Sequence, residues 1–372
     1  VSLRSPATTR PSDRLLGTLL RRYEGAGTPL SCEPVAEGLL NRGYRVATTR
    51  GRFFLKHYLD KHHLEEGYCD TSHPATIARQ HRATLRLVAL GLPVAAPLTD
   101  ADGRTVAVVD GRRYALYPWV EGHHRAGTEL SAAQCVRLGA LLGLVHTALA
   151  EVLPRSRPPC VVRPRNGGAR GPGGVPCVRP HPSARPQDTH ALIGELLRLV
   201  RAHRPRDRFD ELAEFRLLER RALLEHHAHR RPADPAVRLT GWVHGDFHPL
   251  NLLYRGAEPA AIVDWDRLGV QPRAEEAVRA AAIFFLRGGD GSLDLAKVRA
   301  YARAYRRTAG VGGAELAAAV HRVWWERLND FWMLRWRYER HDHRADPLFP
   351  ATAGLAVWWT REYQAVLAAF TE

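Results

Sequence analysis

The sequence predicts a two-lobed α+β protein, with a small β-rich lobe at about residues 30–117 and a large, mostly helical lobe at 118–372. Three observations carry this. Between residues 44 and 117, two pairs of short β-rich runs flank a single helical stretch. Beyond Pro118 the apolar periodicity is almost entirely that of helices. One β-rich piece, at 241–266, interrupts those helices and holds the densest set of chemically useful side chains in the chain.

In chain order, Ser12-Asp13 followed by Leu15, Leu16, Leu19, Leu20 and Tyr23 gives an N-cap and an apolar stripe, and Gly25-Ala26-Gly27 ends the helix. Residues 1–29 are therefore expected to form an N-terminal helix and tail. The runs 44–49 and 52–58 are rich in β-branched and aromatic residues, and Arg50-Gly51 between them predicts a hairpin. A helix is expected at 75–90, stopped by Gly91 and Pro93. A second hairpin, 105–109 with 113–117, turns on Asp110-Gly111. Pro118 closes the small lobe. A long helix is expected at 131–151. Residues 154–190 are so rich in Pro, Gly and Arg that they cannot bury a core, and they read as a disordered insertion. Helices at about 191–202, 208–229, 274–287, 293–309, 314–340 and 351–370 complete the large lobe. No internal repeat is present.

Composition narrows the class. A hydrophobic fraction of 45% and a charged fraction of 25% over 372 residues suit a globular protein with a large core, and exclude wholesale disorder or a fibrous chain. No uninterrupted apolar run approaches the ~18 residues of a membrane span, and residues 1–10 lack the apolar segment of a secretory leader. A soluble cytoplasmic protein with no membrane partner is expected. The net charge is +15, yet only Lys56, Lys61 and Lys297 among the 54 basic residues are lysine, and Met333 is the sole methionine. That bias, with abundant Ala, Gly and Pro, reads as compositional drift on a solvated surface. A nucleic-acid surface is the competing reading of the charge, but no helix-turn-helix or RNP-like motif supports it. The cysteines, Cys32, Cys69, Cys135, Cys160 and Cys177, are odd in number and form no C-x-x-C pair. Cys160 and Cys177 could pair across the Pro/Gly-rich stretch, but unpaired thiols suit a reducing compartment better.

The chemistry concentrates in Trp242-Val243-His244-Gly245-Asp246-Phe247-His248-Pro249-Leu250-Asn251, followed thirteen residues after Asn251 by Asp264 at the end of the apolar run Ala261-Ile262-Val263. The pattern His-x-Asp-x-x-x-x-Asn has the logic of phosphoryl transfer. One carboxylate accepts or orients the proton of the attacking group, while a carboxamide and a second carboxylate hold Mg²⁺ against nucleotide phosphates. Mg²⁺ prefers such hard oxygen ligands. The plain alternative is a polar turn between two hydrophobic strands, and Asp264 at that distance argues against it. Lys56 ends the run Phe53-Phe54-Leu55 in the second arm of the first hairpin, where a cation can meet the α and β phosphates. In a chain that otherwise uses arginine, lysine here points to a need for a compact ammonium. Upstream, Glu37-Gly38-Leu39-Leu40-Asn41-Arg42-Gly43-Tyr44 could be the loop over the phosphates, although it lacks G-x-G-x-x-G.

On these residues the chain resembles the aminoglycoside phosphotransferase/choline kinase-like superfamily, most of all its spore-coat-kinase-like and homoserine-kinase-like branches. The matching segments are Asn41 with Tyr44-Arg45-Val46, Phe54-Leu55-Lys56, Gly91-Leu92-Pro93-Val94, Tyr117-Pro118-Trp119-Val120-Glu121-Gly122, the 244–251 segment, and Val263-Asp264-Trp265-Asp266. They cover about residues 30–290 apart from the insertion. The resemblance implies a protein-kinase-like fold and ATP and Mg²⁺ as cofactors, with a small-molecule hydroxyl as acceptor. It implies Asp246 as catalytic base, Asn251 and Asp264 as Mg²⁺ ligands, and Lys56 at the nucleotide phosphates. It also places Asn41, Tyr117 and Trp119 at the nucleotide, the last two in the hinge that reads adenine, and makes His244 a brace of the catalytic loop. Asp266 would support the metal or Asn251. One departure stands out. Kinase-like folds pair the strand lysine with a glutamate on the following helix, near position 81, but here the run is Arg79-Gln80-His81-Arg82, and no carboxylate lies between 74 and 98. Gln80 or His81 would then orient Lys56, or Glu65-Glu66 would reach it by another path, or Lys56 would be poorly oriented. The last case leaves a nucleotide-binding pseudokinase as a second class.

Weaker signals remain. Trp325, Leu328, Trp332 and Trp336 fall on one helical stripe, which reads as core or as the aromatic wall of an acceptor pocket. Glu326, Asp330 and Glu339 nearby would suit a basic acceptor. His62-His63, His226-His227 with His229, and His341 with His343 lack metal-ligand spacing and read as surface histidines. An aminoglycoside, another antibiotic, an amino alcohol, a sugar and an amino acid are all compatible acceptors.

Overall fold

The structure, a computed structural model, describes residues 10–35, 41–59, 73–153, 182–233 and 240–372. The small lobe is a five-stranded antiparallel sheet in the order β1-β2-β3-β5-β4, formed by β1 (Pro29–Val35), β2 (Arg42–Thr48), β3 (Gly51–Tyr58), β4 (Ala107–Val109) and β5 (Arg112–Pro118). Side chains alternate across a strand, and here each face has its own helix. Tyr44, Val46, Leu55, Tyr114 and Leu116 bury one face under α1 (Asp13–Leu20), whose Leu15, Leu16, Leu19 and Leu20 point inward. Ser12 caps that helix by accepting from Leu15 N at 3.2 Å. The N-terminal helix is thus part of the small-lobe core and not a separate tail. Lys56, Tyr58, Ala115 and Tyr117 occupy the other face, toward α2 (Pro74–Ala89) and the cleft.

Both hairpins form. The first turns at Thr49-Arg50, one position earlier than expected, because Thr48 pairs with Gly51. The second turns on Asp110 and Gly111, both at positive φ (50° and 73°), as a type I′ turn requires. Strand β1 was not legible in the sequence. It carries Pro29 and Pro34, which remove ladder donors and are tolerated only at an edge such as this one.

The large lobe is built on α3 (Ala132–Val152), which runs along α7 (Leu295–Ala309). Gly139 permits the approach, since a Cβ there would run into Tyr301 O. Helix α3 is long and apolar enough to cross a bilayer, the one such helix among the described residues, but 56% of its most apolar stretch is buried inside the lobe. Around this pair pack α4 (Pro186–Ala202), α5 (Arg208–His227), α6 (Arg273–Phe284), α8 (Gly313–Asn329), α9 (Trp332–Arg340), α10 (Phe349–Arg361) and α11 (Tyr363–Thr371). Two antiparallel ribbons, β6 (Thr240–Val243) with β9 (Gly269–Pro272) and β7 (Leu252–Arg255) with β8 (Glu258–Ile262), lie at the cleft. The lobes meet through backbone: Ile262 N donates to Pro93 O at 2.7 Å, and Ala95 N to Ile262 O at 3.0 Å. That junction fixes the end of β8 against the small lobe.

Three expectations are corrected. The loose insertion does not extend to 190: Ser183 and Thr189 are buried, Trp325 Nε1 donates to Ala184 O at 3.0 Å, and α4 starts at Pro186, a residue suited to a first helical turn. Residues 154–181, with Cys160 and Cys177, lie outside the described residues, as do Cys69, Glu65-Glu66 and His62-His63. Cys32 and Cys135 are buried free thiols. The helix expected at 314–340 is two helices broken at Asp330-Phe331, with Asp330 accepting from Trp332 N at 3.2 Å. The tryptophan stripe therefore splits. Trp324 and Trp325 are fully buried in the core, while Trp332 and Trp336 pack edge-to-face on one another across 5.0 Å. Likewise, the last expected helix is the pair α10 and α11.

Candidate active site

The segment 244–251 leaves β6 and is held from beneath by α6. Glu276, buried on that helix, accepts from His244 N at 3.2 Å and also from Gly245 N. On its other side it meets His146 Nε2 at 2.7 Å. Burial alone would raise the Glu276 carboxyl, but His146 and the loop hold it below its ordinary value, so it stays ionised. Gly245 sits at φ 87°, and a Cβ there would collide with Arg267 O, so only glycine fits this bend.

His244 joins two strands' ends. Its Nε2 donates to Val263 O at 3.0 Å, which leaves Nδ1 to accept from Asp246 N at 3.2 Å. Burial keeps the ring neutral by lowering its pKa. Asn251 reinforces the same junction: Val263 N donates to Asn251 O at 3.0 Å, and Asn251 Nδ2 donates to Asp246 O at 2.8 Å. The carboxamide nitrogen is thereby committed, and the oxygen is the end left to ligate. The next residue, Asp264, takes the left-handed conformation (φ 56°, ψ 70°), which ends β8 and turns its carboxylate into the cleft.

Asp246 is about one-third exposed, with Arg267 Nε and His248 Nε2 each 3.6 Å from its Oδ2. Burial pushes this carboxyl up, but His248 and Arg267 outweigh it and hold it below the usual range, hence ionised.

Opposite stands Lys56. Its Nζ donates to Asp266 Oδ1 at 2.6 Å and to Asp264 Oδ1 at 3.0 Å. Burial disfavours its charge, but the two carboxylates more than compensate and keep it protonated. The same ammonium holds Asp264 low against burial, whereas burial and its neighbour Asp264 push Asp266 up. Asp266 is fixed further by Asn41 Nδ2 at 2.5 Å, and its carbonyl accepts from Gln80 Nε2 at 2.8 Å. Tyr58 and Tyr117 wall the ammonium; their hydroxyls meet His81 Nε2 at 2.8 and 3.1 Å. Burial and Lys56 lower the His81 pKa to about 3, so it serves as a neutral partner.

The structure thus gathers Asn41, Lys56, Tyr117, His244, Asp246, Asn251, Asp264 and Asp266 in one cleft. It does not bring Trp119 to this cluster: Trp119 N donates to Arg52 O at 3.1 Å, and its ring lies under the Arg45 guanidinium. Residues 36–40 of the expected phosphate loop lie outside the described residues. Neither Gln80 nor His81 hydrogen-bonds to Lys56, whose ammonium is held by Asp264 and Asp266. The acids proposed for a basic acceptor are engaged: Glu326 pairs with Arg279 at 2.8 Å and Glu339 with Arg335 at 3.0 Å. Sequence reading missed Glu276, Arg267 and the anchoring role of Gln80. An acid in the first turn of the helix after the β-rich piece was the one hint of Glu276 that the sequence offered.

The chain belongs to the phosphotransferase enzyme family, which matches residues 31–311. It is 28% identical over 143 residues to a homoserine kinase of Neisseria meningitidis, covering 38% of this chain and 42% of that protein. The chain matches between 36% and 42% of the length of such curated relatives. In fold it is similar to a spectinomycin phosphotransferase solved with ADP and spectinomycin (TM-score 0.58, 13% identity, 94% and 98% of the two chains). It is also similar to a microcompartment-associated aminopropanol kinase (TM-score 0.56, 17% identity, 97% and 99%). The fold is that of these small-molecule kinases.

Proposed function

We propose that the chain is a Mg·ATP-dependent kinase that moves the γ-phosphoryl group to a hydroxyl of a small molecule. The observation that carries this is the convergence of Asp246, Asn251 and Asp264 on one backbone junction, stitched by His244, directly across from Lys56. The acceptor hydroxyl gives its proton to Asp246 as its oxygen bonds to the γ-phosphorus. The bond from that phosphorus to the β–γ bridging oxygen breaks, and ADP leaves with the electron pair. Lys56 faces the α and β phosphates. Arg267, beside Asp246, is placed to offset charge on the transferring group.

The donor set fits Mg²⁺. An oxygen of Asn251 and the Asp264 carboxylate, 40% exposed at the cleft, are hard ligands that leave room for phosphate and water. Mg²⁺ held by these two residues would neutralise phosphate charge. Asp246 and His244 would still set the position of the acceptor and its proton. The missing helix carboxylate no longer favours a pseudokinase, because Lys56 is paired without it. Dependence on ATP suits a cytoplasmic setting.

Release of ADP in the presence of Mg·ATP and a panel of hydroxyl acceptors tests the reading. Homoserine, aminopropanol and spectinomycin, named for the relatives, come first. Acceptor-dependent ADP release that disappears in Asp246→Asn is expected. Full turnover in that variant would contradict the assignment of the base.

A further inference from the structure

We propose that Asp266 is the lasting partner of Lys56, a positioning residue that aims the ammonium at the nucleotide phosphates while Asp264 is released to the metal; this rests on the phosphotransferase reading above. The two carboxylates that share the ammonium are not equivalent. Asp266 is closer, 2.6 Å against 3.0 Å, and its side chain is 5% exposed against 40% for Asp264. Asp266 is also the one tied down. Asn41 binds its second oxygen at 2.5 Å, and Gln80 binds its backbone carbonyl at 2.8 Å. A carboxylate already filled by an ammonium and a carboxamide, and shut off from solvent, has no place for a cation that keeps several waters. The exposed carboxylate does. With Asp264 in the left-handed conformation, two acids two residues apart reach one nitrogen.

The arrangement also explains how a helix without an acid can support the strand lysine. Helix α2 contributes Gln80, a neutral donor that holds Asp266, and Asp266 holds Lys56. Support passes through the 264–266 turn instead of going straight from helix to strand. Asp266 therefore acts on nucleotide only through Lys56.

Calorimetric titration with ADP, in EDTA and again in Mg²⁺, reads this directly in the wild-type chain, Asp266→Asn, Lys56→Met and the double variant. Asp266→Asn is expected to weaken metal-free ADP binding roughly tenfold, a coupling typical of side chains in contact, and to add less than about twofold once Lys56 is Met. An equal loss in both backgrounds overturns the proposal, as does no loss at all. A loss seen only with Mg²⁺ makes Asp266 a metal ligand and equally overturns it. If Asp266→Asn does not fold, Gln80→Ala replaces it, with about a threefold loss expected that also vanishes beside Lys56→Met; persistence of that loss contradicts the proposal. A wild-type chain that binds no ADP under either condition overturns the phosphotransferase reading itself.

Discussion

Two clusters of charged side chains in this protein are built from the same materials and balance differently. Between α6 and α8, Glu275 and Glu326 meet Arg279 and Arg322, with contacts of 2.8 to 3.2 Å and two charges of each sign. In the cleft, Asp246, Asp264 and Asp266 face Lys56 and the more distant Arg267. Among the described residues the first set balances, its charges neutralised by one another. The second has, among the described residues, a surplus carboxylate, which is tolerable at a half-open site and costly in a sealed one. A surplus of negative oxygen ligands is what a divalent cation and its nucleotide would complete. The difference separates structure from chemistry more sharply than burial does, since each cluster has one carboxylate 40% exposed, Asp264 in the cleft and Glu326 between the helices.

The comparison can be broken at several points. The largest effect is expected in the cleft: Asp246→Asn should cut kcat by about 10²–10⁴ while leaving ADP affinity within about twofold, because in the proposed reaction the side chain handles the acceptor proton. Initial rates alongside nucleotide titration would check both halves. A kcat loss matched by an equal loss of ADP affinity would make Asp246 part of the nucleotide site. Next comes the balanced cluster. Arg279→Met should destabilise the fold by about 1–3 kcal/mol, because Glu275 keeps Arg322 and the Glu326 it leaves unpaired is partly exposed, and Arg279→Met with Glu326→Leu should recover part of that. Urea unfolding measures it, and kcat at 25 °C should change little in either folded variant. A third test asks whether the cleft's surplus is real. Saturating Mg·ADP, at about 100 times its Kd, should stabilise the wild-type chain by about 2.7 kcal/mol. Asp264→Asn should lose most of that gain, as read by thermal unfolding.

The smallest expected effect lies far from both clusters. Asp210 is buried and accepts from Tyr338 Oη at 2.6 Å, meeting His203 Nδ1 at 2.9 Å. Burial opposes its charge, but these partners win and bring its pKa down to about 2. A carboxyl lowered on folding adds stability above its unfolded pKa of about 3.9 and loses it as pH falls toward 2. Stability should therefore decline between about pH 4 and pH 2. In Asp210→Asn that part of the slope, at most about 2.6 kcal/mol, should be absent. Urea midpoints at pH 5 and pH 3 for both chains give the comparison.

Much of the cleft could be read from the sequence because its chemistry is local. His244, Asp246 and Asn251 lie in the loop that leads into the β7–β8 hairpin and Asp264 follows it, so the hairpin brings the two ends together and linear distance there is nearly spatial distance. Lys56 stood out as one of three lysines in a chain that otherwise uses arginine, and the structure does place it against the carboxylates of the cleft. What could not be read depended on side chains that arrive from elsewhere. Glu276 reaches the loop from a helix 30 residues on, and His146 reaches Glu276 from 130 residues back. Gln80 and Asn41 converge on Asp266 from α2 and from the residue before β2. The fold shows the same division. Hairpins with turn signals and capped amphipathic helices were plain. The edge strand with two prolines and the helix break at Asp330-Phe331, which has neither glycine nor proline, were set by tertiary packing.

The most direct test of the account is calorimetric titration of ATP into the wild-type chain and Asp264→Asn, with and without Mg²⁺. Binding that strengthens with Mg²⁺ in the wild type and loses that dependence in Asp264→Asn is the predicted result. Binding indifferent to both the metal and Asp264, or no binding at all, would contradict the claim that the surplus carboxylate of the cleft exists to hold the metal-bound nucleotide.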